Sequence, residues 1–131
     1  MTAREQLTNA APAYVAELEG EKARRFKARN MLIPSPIQVR DAIQAIEFGQ
    51  SISLKNLREQ LASQSGADIT CPYTAGVCWR IVAEAAEEDR IEGLLPIAPW
   101  WRVTKDGKPN PKLPGGAESH RLHLLSEGIE I

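Results

Sequence analysis

Apolar residues recur at helical spacing in four stretches of the chain. Ile37, Val39, Ile43 and Ile46 set the first period, which runs to about Phe48. Ser35 offers its N-cap, Pro36 suits its first turn, and Gly49 ends it. Leu54, Leu57 and Leu61 mark one face of a second helix, capped by Ser53 with Asn56 at the third position. After a turn over Gln64 to Ile69, Thr70-Cys71-Pro72 opens a third helix that continues to about Arg90. Val77, Cys78, Ile81, Val82 and Ala85 form its inward stripe, flanked by Trp79 and Arg80. The fourth helix opens at Gly116 or Ala117 and runs to about Glu127, with Leu122, Leu124 and Leu125 inward and Gly128 as its stop.

The segments between these periods read differently. Met31-Leu-Ile-Pro-Ser-Pro36 is an extended connector, because the residue before a proline is pushed out of the helical region. Leu94-Leu-Pro-Ile-Ala-Pro99 is apolar and proline-punctuated, which predicts a buried but non-helical stretch. Trp101 to Thr104 reads as a short strand, Asp106-Gly107 as a tight turn, and Asn110 to Gly116 as an ordered loop. At the N-terminus, Tyr14 to Arg29 has helix-forming composition with a thin apolar stripe, and its second half, KARRFKAR, carries five cations in eight residues. That run suits either a solvated helix face or a phosphate-facing one.

The expected architecture is mainly α with a small β and loop element. Residues 1–33 form an N-terminal helical extension and 34–131 a single domain. Two helices joined by a turn suggest a helix-turn-helix. A chain of 131 residues buries a core without disulfides or metal. No apolar run approaches the roughly 20 residues needed to span a bilayer, and the first residues lack an apolar leader core, so the expectation is a cytoplasmic protein. The net charge of −1 means that any basic site is local.

Most familiar chemistries find no residue set. Cys71 and Cys78 lie seven apart, a rise of about 10 Å along a helix, too far for a disulfide; they read as buried thiols. His120 and His123 sit at i, i+3 with no further ligand spaced to complete a metal site, and read as surface histidines. Glu84, Glu87, Glu88 and Asp89 read as a solvated helix end. Gly115-Gly116 lacks the Lys-Ser/Thr of a phosphate loop. Neither a cofactor nor a metal is expected, and the pattern leans toward binding.

Read in order, Pro99-Trp-Trp-Arg-Val103, the Asp-Gly turn, Leu113-Pro-Gly-Gly116 and the Leu-Leu-Ser-Glu-Gly128 ending resemble the DNA-binding domain of the O6-alkylguanine-DNA alkyltransferases over roughly residues 34–128. The resemblance implies a winged-helix-like helix-turn-helix. Trp100 stands where that family has its alkyl-accepting cysteine, Trp101 where its histidine lies, and Glu127 matches the glutamate that holds the histidine. Arg80 matches the arginine that enters the duplex in place of a flipped base, next to Trp79. Arg102 and Lys105 join the implied DNA-binding set, while Leu113, Gly115 and Gly116 join Trp100, Trp101 and Glu127 around the base pocket. Leu54 falls where a phosphate-contacting tyrosine is usual.

Tryptophan offers no thiolate, so alkyl transfer to position 100 is excluded on chemistry. The likeness is closest to the alkyltransferase-like proteins, which bind alkylated guanine without repairing it. They usually keep the histidine that this chain replaces. The resemblance thus implies double-stranded DNA as partner, with a nucleotide-excision-repair protein as a second one. Glu87-Glu88-Asp89 looks like an acidic insertion at the end of the recognition helix, unfavourable near phosphates. The alternative is a diverged protein-interaction or small-ligand module that has lost DNA binding, with both tryptophans closing the old pocket as core.

Overall fold

Six helices and five short strands follow one another in a computed structural model that describes residues 1–131. The order is α1 (Ala3–Asn9), β1 (Tyr14–Glu17), α2 (Gly20–Phe26), β2 (Asn30–Ile33), α3 (Pro36–Gln44), β3 (Ile52–Ser53), α4 (Leu54–Ser65), β4 (Ile69–Thr70) and α5 (Pro72–Ile91). A 3-10 turn (Trp100–Arg102), β5 (Val103–Thr104) and α6 (Gly116–Ser126) complete the chain. The mainly helical architecture with a small β component is the expected one. No helix is long and apolar enough to cross a membrane.

The helix starts obey local chemistry. Ser35 Oγ accepts from the Gln38 amide and Ser53 Oγ from the Asn56 amide, each satisfying a donor that the first helical turn leaves unpaired. Helix α5 departs from expectation at its cap. Cys71, not Thr70, occupies the N-cap, and the Thr70 hydroxyl instead donates to the Arg58 carbonyl, tying β4 to α4.

The N-terminal segment is not a helical extension. Helix α1 is followed by a strand, a second seven-residue helix and a second strand, where a single helix over Tyr14 to Arg29 was expected. Gly20 sits at φ +58°, which breaks any helix running through it. Tyr14 and Val15, β-favouring residues, pair with β2 instead. β1 runs antiparallel to β2, and β2 pairs in parallel with β4, Met31 opposite Ile69 and Leu32 opposite Thr70. The segment is therefore stitched into the turn between α4 and α5. The Arg29 amide donates to Asp68, the Asp68 amide to Asn30 Oδ1, and the Cys71 amide to the Leu32 carbonyl. A second pairing, β3 with β5, sets Ser53 opposite Thr104 at the start of α4.

Helix α5 is the spine. Helices α1, α3 and α4 and the 3-10 turn all pack on it. Its buried face accordingly widens beyond a single stripe, to Ala75, Cys78, Trp79, Ile81, Val82, Ala83, Ala85 and Ala86. Its acidic end is not a solvated one. Glu88 accepts from the Ala3 and Arg4 amides, the orphan donors of α1, while Arg4 lies within ion-pair reach of Glu88, Asp89 and Glu92. Glu87 pairs with Arg90. The apparent insertion is the docking point of the N-terminal helix.

Three apolar expectations fail in the last third of the chain. Leu94 and Leu95 are exposed, as are Leu122 and Leu125. The inward stripe of α6 runs through Gly116, His120, His123, Leu124 and Glu127, spaced at 3.6 residues per turn but built largely of polar side chains.

Candidate functional site

Pro99 caps a single 3-10 turn, and this explains how two tryptophans stand side by side. Three residues per turn separate neighbouring side chains by about 120°. The rings diverge to an interplanar angle of 81° with centroids 5.8 Å apart. Trp100 enters the main core at 1% exposure, among Leu57, Trp79, Val103 and Leu113. Trp101 turns to the rim, half-buried.

Trp79 belongs to the same core. It is 1% exposed and its Nε1 donates to the Trp100 carbonyl at 3.0 Å, so it does not face DNA as the resemblance implied. Its large apolar surface and its one donor are both satisfied inside. Trp100 Nε1 has no hydrogen-bond partner.

His120 is the second correction. It is fully buried, not at the surface. Its Nδ1 accepts from the Asn110 amide at 2.9 Å, and its Nε2 lies 2.9 Å from the Trp101 carbonyl. The first contact requires a lone pair and the second a proton, so the ring is the neutral Nε2–H tautomer. Burial lowers its pKa, outweighing the backbone acceptors that would raise it. The ring meets Trp79 and Trp100 edge-on at 6.0 and 5.3 Å. One turn on, His123 stacks flat on Trp101, centroids 4.3 Å apart and 12° between planes. Its pKa is also lowered, chiefly by burial.

Glu127 closes the cluster. Its side chain is 3% exposed and accepts from Trp101 Nε1 at 2.6 Å, Arg102 Nε at 3.0 Å and the Gly49 amide at 2.9 Å. Burial pushes the carboxyl upward. The three donors outweigh it and hold the group below the usual carboxylate range. Arg102 also donates to the Ile46 carbonyl at 2.7 Å and lies over the Phe48 ring. One carboxylate thus ties the end of α6 to the 3-10 turn and to the loop after α3.

The remaining expected residues divide into two groups. Leu113 is buried beside Trp100, and Leu54 packs against the core. Gly115 caps α6 at φ +80°, where an added Cβ would meet the Ser119 Cβ at 2.4 Å, so only glycine fits. Gly116, at φ +76°, is the first residue of α6. Arg80 and Lys105 are exposed on other parts of the surface, away from the tryptophan cluster's interior. The outer side of α5 carries Tyr73, 81% exposed, and Arg80 seven residues later. Its first acid on that side is Glu84, 3.9 Å from Arg80. Tyr73, His120, His123 and Gly49 were not expected as site residues. The stripe 116, 120, 123, 124, 127 was the available signal, hidden because leucines outrank histidine and glutamate on any hydrophobic scale.

Chemically, the cluster holds no thiolate, and its one imidazole without a hydrogen-bonded ring nitrogen is His123, 5.3 Å from the Trp100 ring and stacked flat on Trp101. Cys78 is the nearest buried thiol on α5, and burial pushes it up to about 11, with the field of Cys71 adding. No group of three or more metal-ligating side chains is gathered anywhere in the chain. Comparison with protein-family models, curated proteins and solved structures found no match.

Proposed function

We propose that this chain is a non-catalytic, alkyltransferase-like protein that binds double-stranded DNA through a winged-helix type of helix-turn-helix, with α5 as the recognition helix. The observation that carries the reading is the outer side of α5, where Tyr73 and Arg80 stand exposed with no acid across the first two turns. A helix can enter a major groove only with such a face. The Arg80–Glu84 contact is an exposed pair, worth about 0–1 kcal/mol, so it does not hold Arg80 back from a phosphate or base. Glu87, Glu88 and Asp89 oppose binding less than three free carboxylates would, because Arg4 and Arg90 offset two of the three charges and Glu88 is turned to the α1 amides.

Lesion reading is the finer part of the proposal. An extruded alkylguanine would stack on Trp100 only after Trp100 and Leu113 left the core. Each would forgo about 1.5–3 kcal/mol of burial. We therefore expect at most a few-fold preference for an O6-methylguanine duplex over its guanine counterpart. The filled pocket also favours a second reading, a protein-interaction module. An exposed apolar patch supports it, formed by Ile91, Leu94 and Leu95 with 72% of Leu95 open.

Fluorescence anisotropy of a labelled duplex at low salt separates the two. Micromolar binding that weakens at least tenfold in Arg80→Ala supports the DNA reading. Absence of binding at 50 mM salt sinks it and leaves the module. A preference above about a hundredfold for the methylated duplex would show that Trp100 does vacate the core.

A further inference from the structure

Sixteen Lys and Arg residues are present, and six of them pair with a carboxylate: Arg4, Arg40, Arg80, Arg90, Arg102 and Arg121. The other ten fall into three sequence clusters, 22–29, Lys55 with Arg58, and 105–112. The topology joins these clusters. Lys105 follows Thr104, which lies opposite Ser53, the N-cap of α4, so the Lys105–Lys108 turn sits at the end of α4 that bears Lys55. From that end, Lys55 and Arg58 line a groove of about 360 Å³ that runs along α4 and reaches Asp68 beyond its other end. Asp68 also walls a second groove, of about 700 Å³, lined by Arg24, Lys27 and Arg29.

We infer that the two grooves form one track for the phosphodiester backbone of duplex DNA, in which the N-terminal hairpin supplies phosphate contacts beside the helix-turn-helix. The inference rests on the DNA reading above and names a part of the interface which that reading does not need.

Five cations stand in the two grooves against two carboxylates, Glu59 and Asp68. Asp68 is already committed to the Arg29 amide, which draws off part of its field. Arg58, which lines the first groove, has its Nε buried without a partner, so no acceptor in the protein draws on that donor. A protein of net charge −1 that lines one path with five of its ten unpaired cations concentrates its attraction for a polyanion there. β2–β4 pairing fixes that path beside the entry to α5. Arg25 stands apart from it, stacked on Phe26.

The test is the salt dependence of duplex binding by the full chain and two triple variants. Arg24→Gln/Lys27→Gln/Arg29→Gln removes cations from the groove. Arg25→Gln/Arg40→Gln/Arg121→Gln removes the same charge from elsewhere and controls for net charge. Circular dichroism checks that both fold. Each phosphate contact contributes about 0.9 to the log–log salt slope, so the groove variant should lose close to 3. Between 50 and 200 mM salt, wild-type affinity should then fall roughly 40-fold more than that of the groove variant. An unchanged slope in the groove variant, or an equal loss in the control, overturns the track while leaving Arg80-dependent binding standing. Binding to phosphatidylserine vesicles in place of duplex overturns both.

Discussion

Removing the charge on Glu127 tests whether its carboxylate is the fastener of the candidate site. Glu127→Gln keeps the shape but offers one acceptor where the carboxylate offers two. Its amide must then face one of the three donors, Trp101 Nε1, Arg102 Nε or the Gly49 amide. One buried donor left unsatisfied costs about 1–3 kcal/mol. Stranding one partner of a buried ion pair costs about 3–5 kcal/mol. Arg102 retains the Ile46 carbonyl and is 14% exposed, which favours the low end. We expect a loss of about 3 kcal/mol, on the order of a third of the stability of an ordinary domain. With a urea slope near 2 kcal/mol/M, the midpoint followed by tryptophan fluorescence should drop by about 1.5 M. Adding Arg102→Met should cost little more, because the pair is already broken; a coupling of about 1–3 kcal/mol is expected in the cycle. A midpoint shift below about 0.5 M would refute the view that these donors depend on the carboxylate.

Acid should destabilise the protein earlier than its carboxylates alone would. His120 and His123 have lowered folded pKa values, so the unfolded chain binds protons first; stability is complete above about pH 6.5 and falls as pH drops through the folded values, by up to about 1.4 kcal/mol per pH unit per histidine. Urea midpoints that stay level from pH 7.5 to 5 would contradict this. Trp100→Ala should cost about 3–5 kcal/mol, the range for opening a large core cavity, read from the same unfolding curves; a near-neutral result would mean the ring is not packed. A thiol reagent should label Cys71 in the native protein and reach Cys78 only with denaturant, given its burial and its pKa near 11. Glu88→Gln should speed amide exchange through α1 while leaving α6 unchanged, because one of the Ala3 and Arg4 amides would lose its acceptor and the negative charge at the α1 N-terminus would be gone.

Elements with a strong local signal were legible from the residues. Ser35-Pro36, Ser53 and the apolar periods of α3, α4 and α5 were read in place, as was the Asp106-Gly107 turn, where both residues adopt positive φ. What failed was decided at a distance. The hairpin of β1 and β2 exists because β4, some forty residues later, offers an edge to pair with. The role of Glu88 depends on α1, more than eighty positions upstream. Of the candidate site, Trp100, Trp101 and Glu127 lie together, as the resemblance and the closed-pocket alternative implied, but His120, His123 and the Gly49 amide around them were not read. Tryptophan at 79 looked like a flank of its helix until the 3-10 turn supplied both a wall and a carbonyl for its indole N–H.

Under the proposed reading, the exchange that matters chemically at this centre is donor for relay. Histidine at position 101 could accept a proton on one nitrogen while donating from the other; indole has a single N–H and accepts nothing. The Trp101–Glu127 contact therefore keeps the geometry of a held ring while fixing the direction of its hydrogen bond. His120, whose ring meets Trp100 edge-on at 5.3 Å, is no substitute. Both its nitrogens are spent on backbone groups, and taking up a proton on Nδ1 would set it against the Asn110 N–H. His123, equally close to Trp100, has no hydrogen-bonded ring nitrogen, but it lies flat on Trp101 and burial holds its pKa down. Under the proposed reading, a single change at position 100 does not recreate an acceptor. Trp100→Cys would place a thiol in the core with no cation beside it to favour the thiolate. Its thiol should titrate at or above the ordinary value of about 8.5, and incubation with an O6-methylguanine duplex should leave its mass unchanged. A methyl adduct on that cysteine, seen by mass spectrometry, would show that a base reaches the site by a route the hydrogen-bond pattern does not contain.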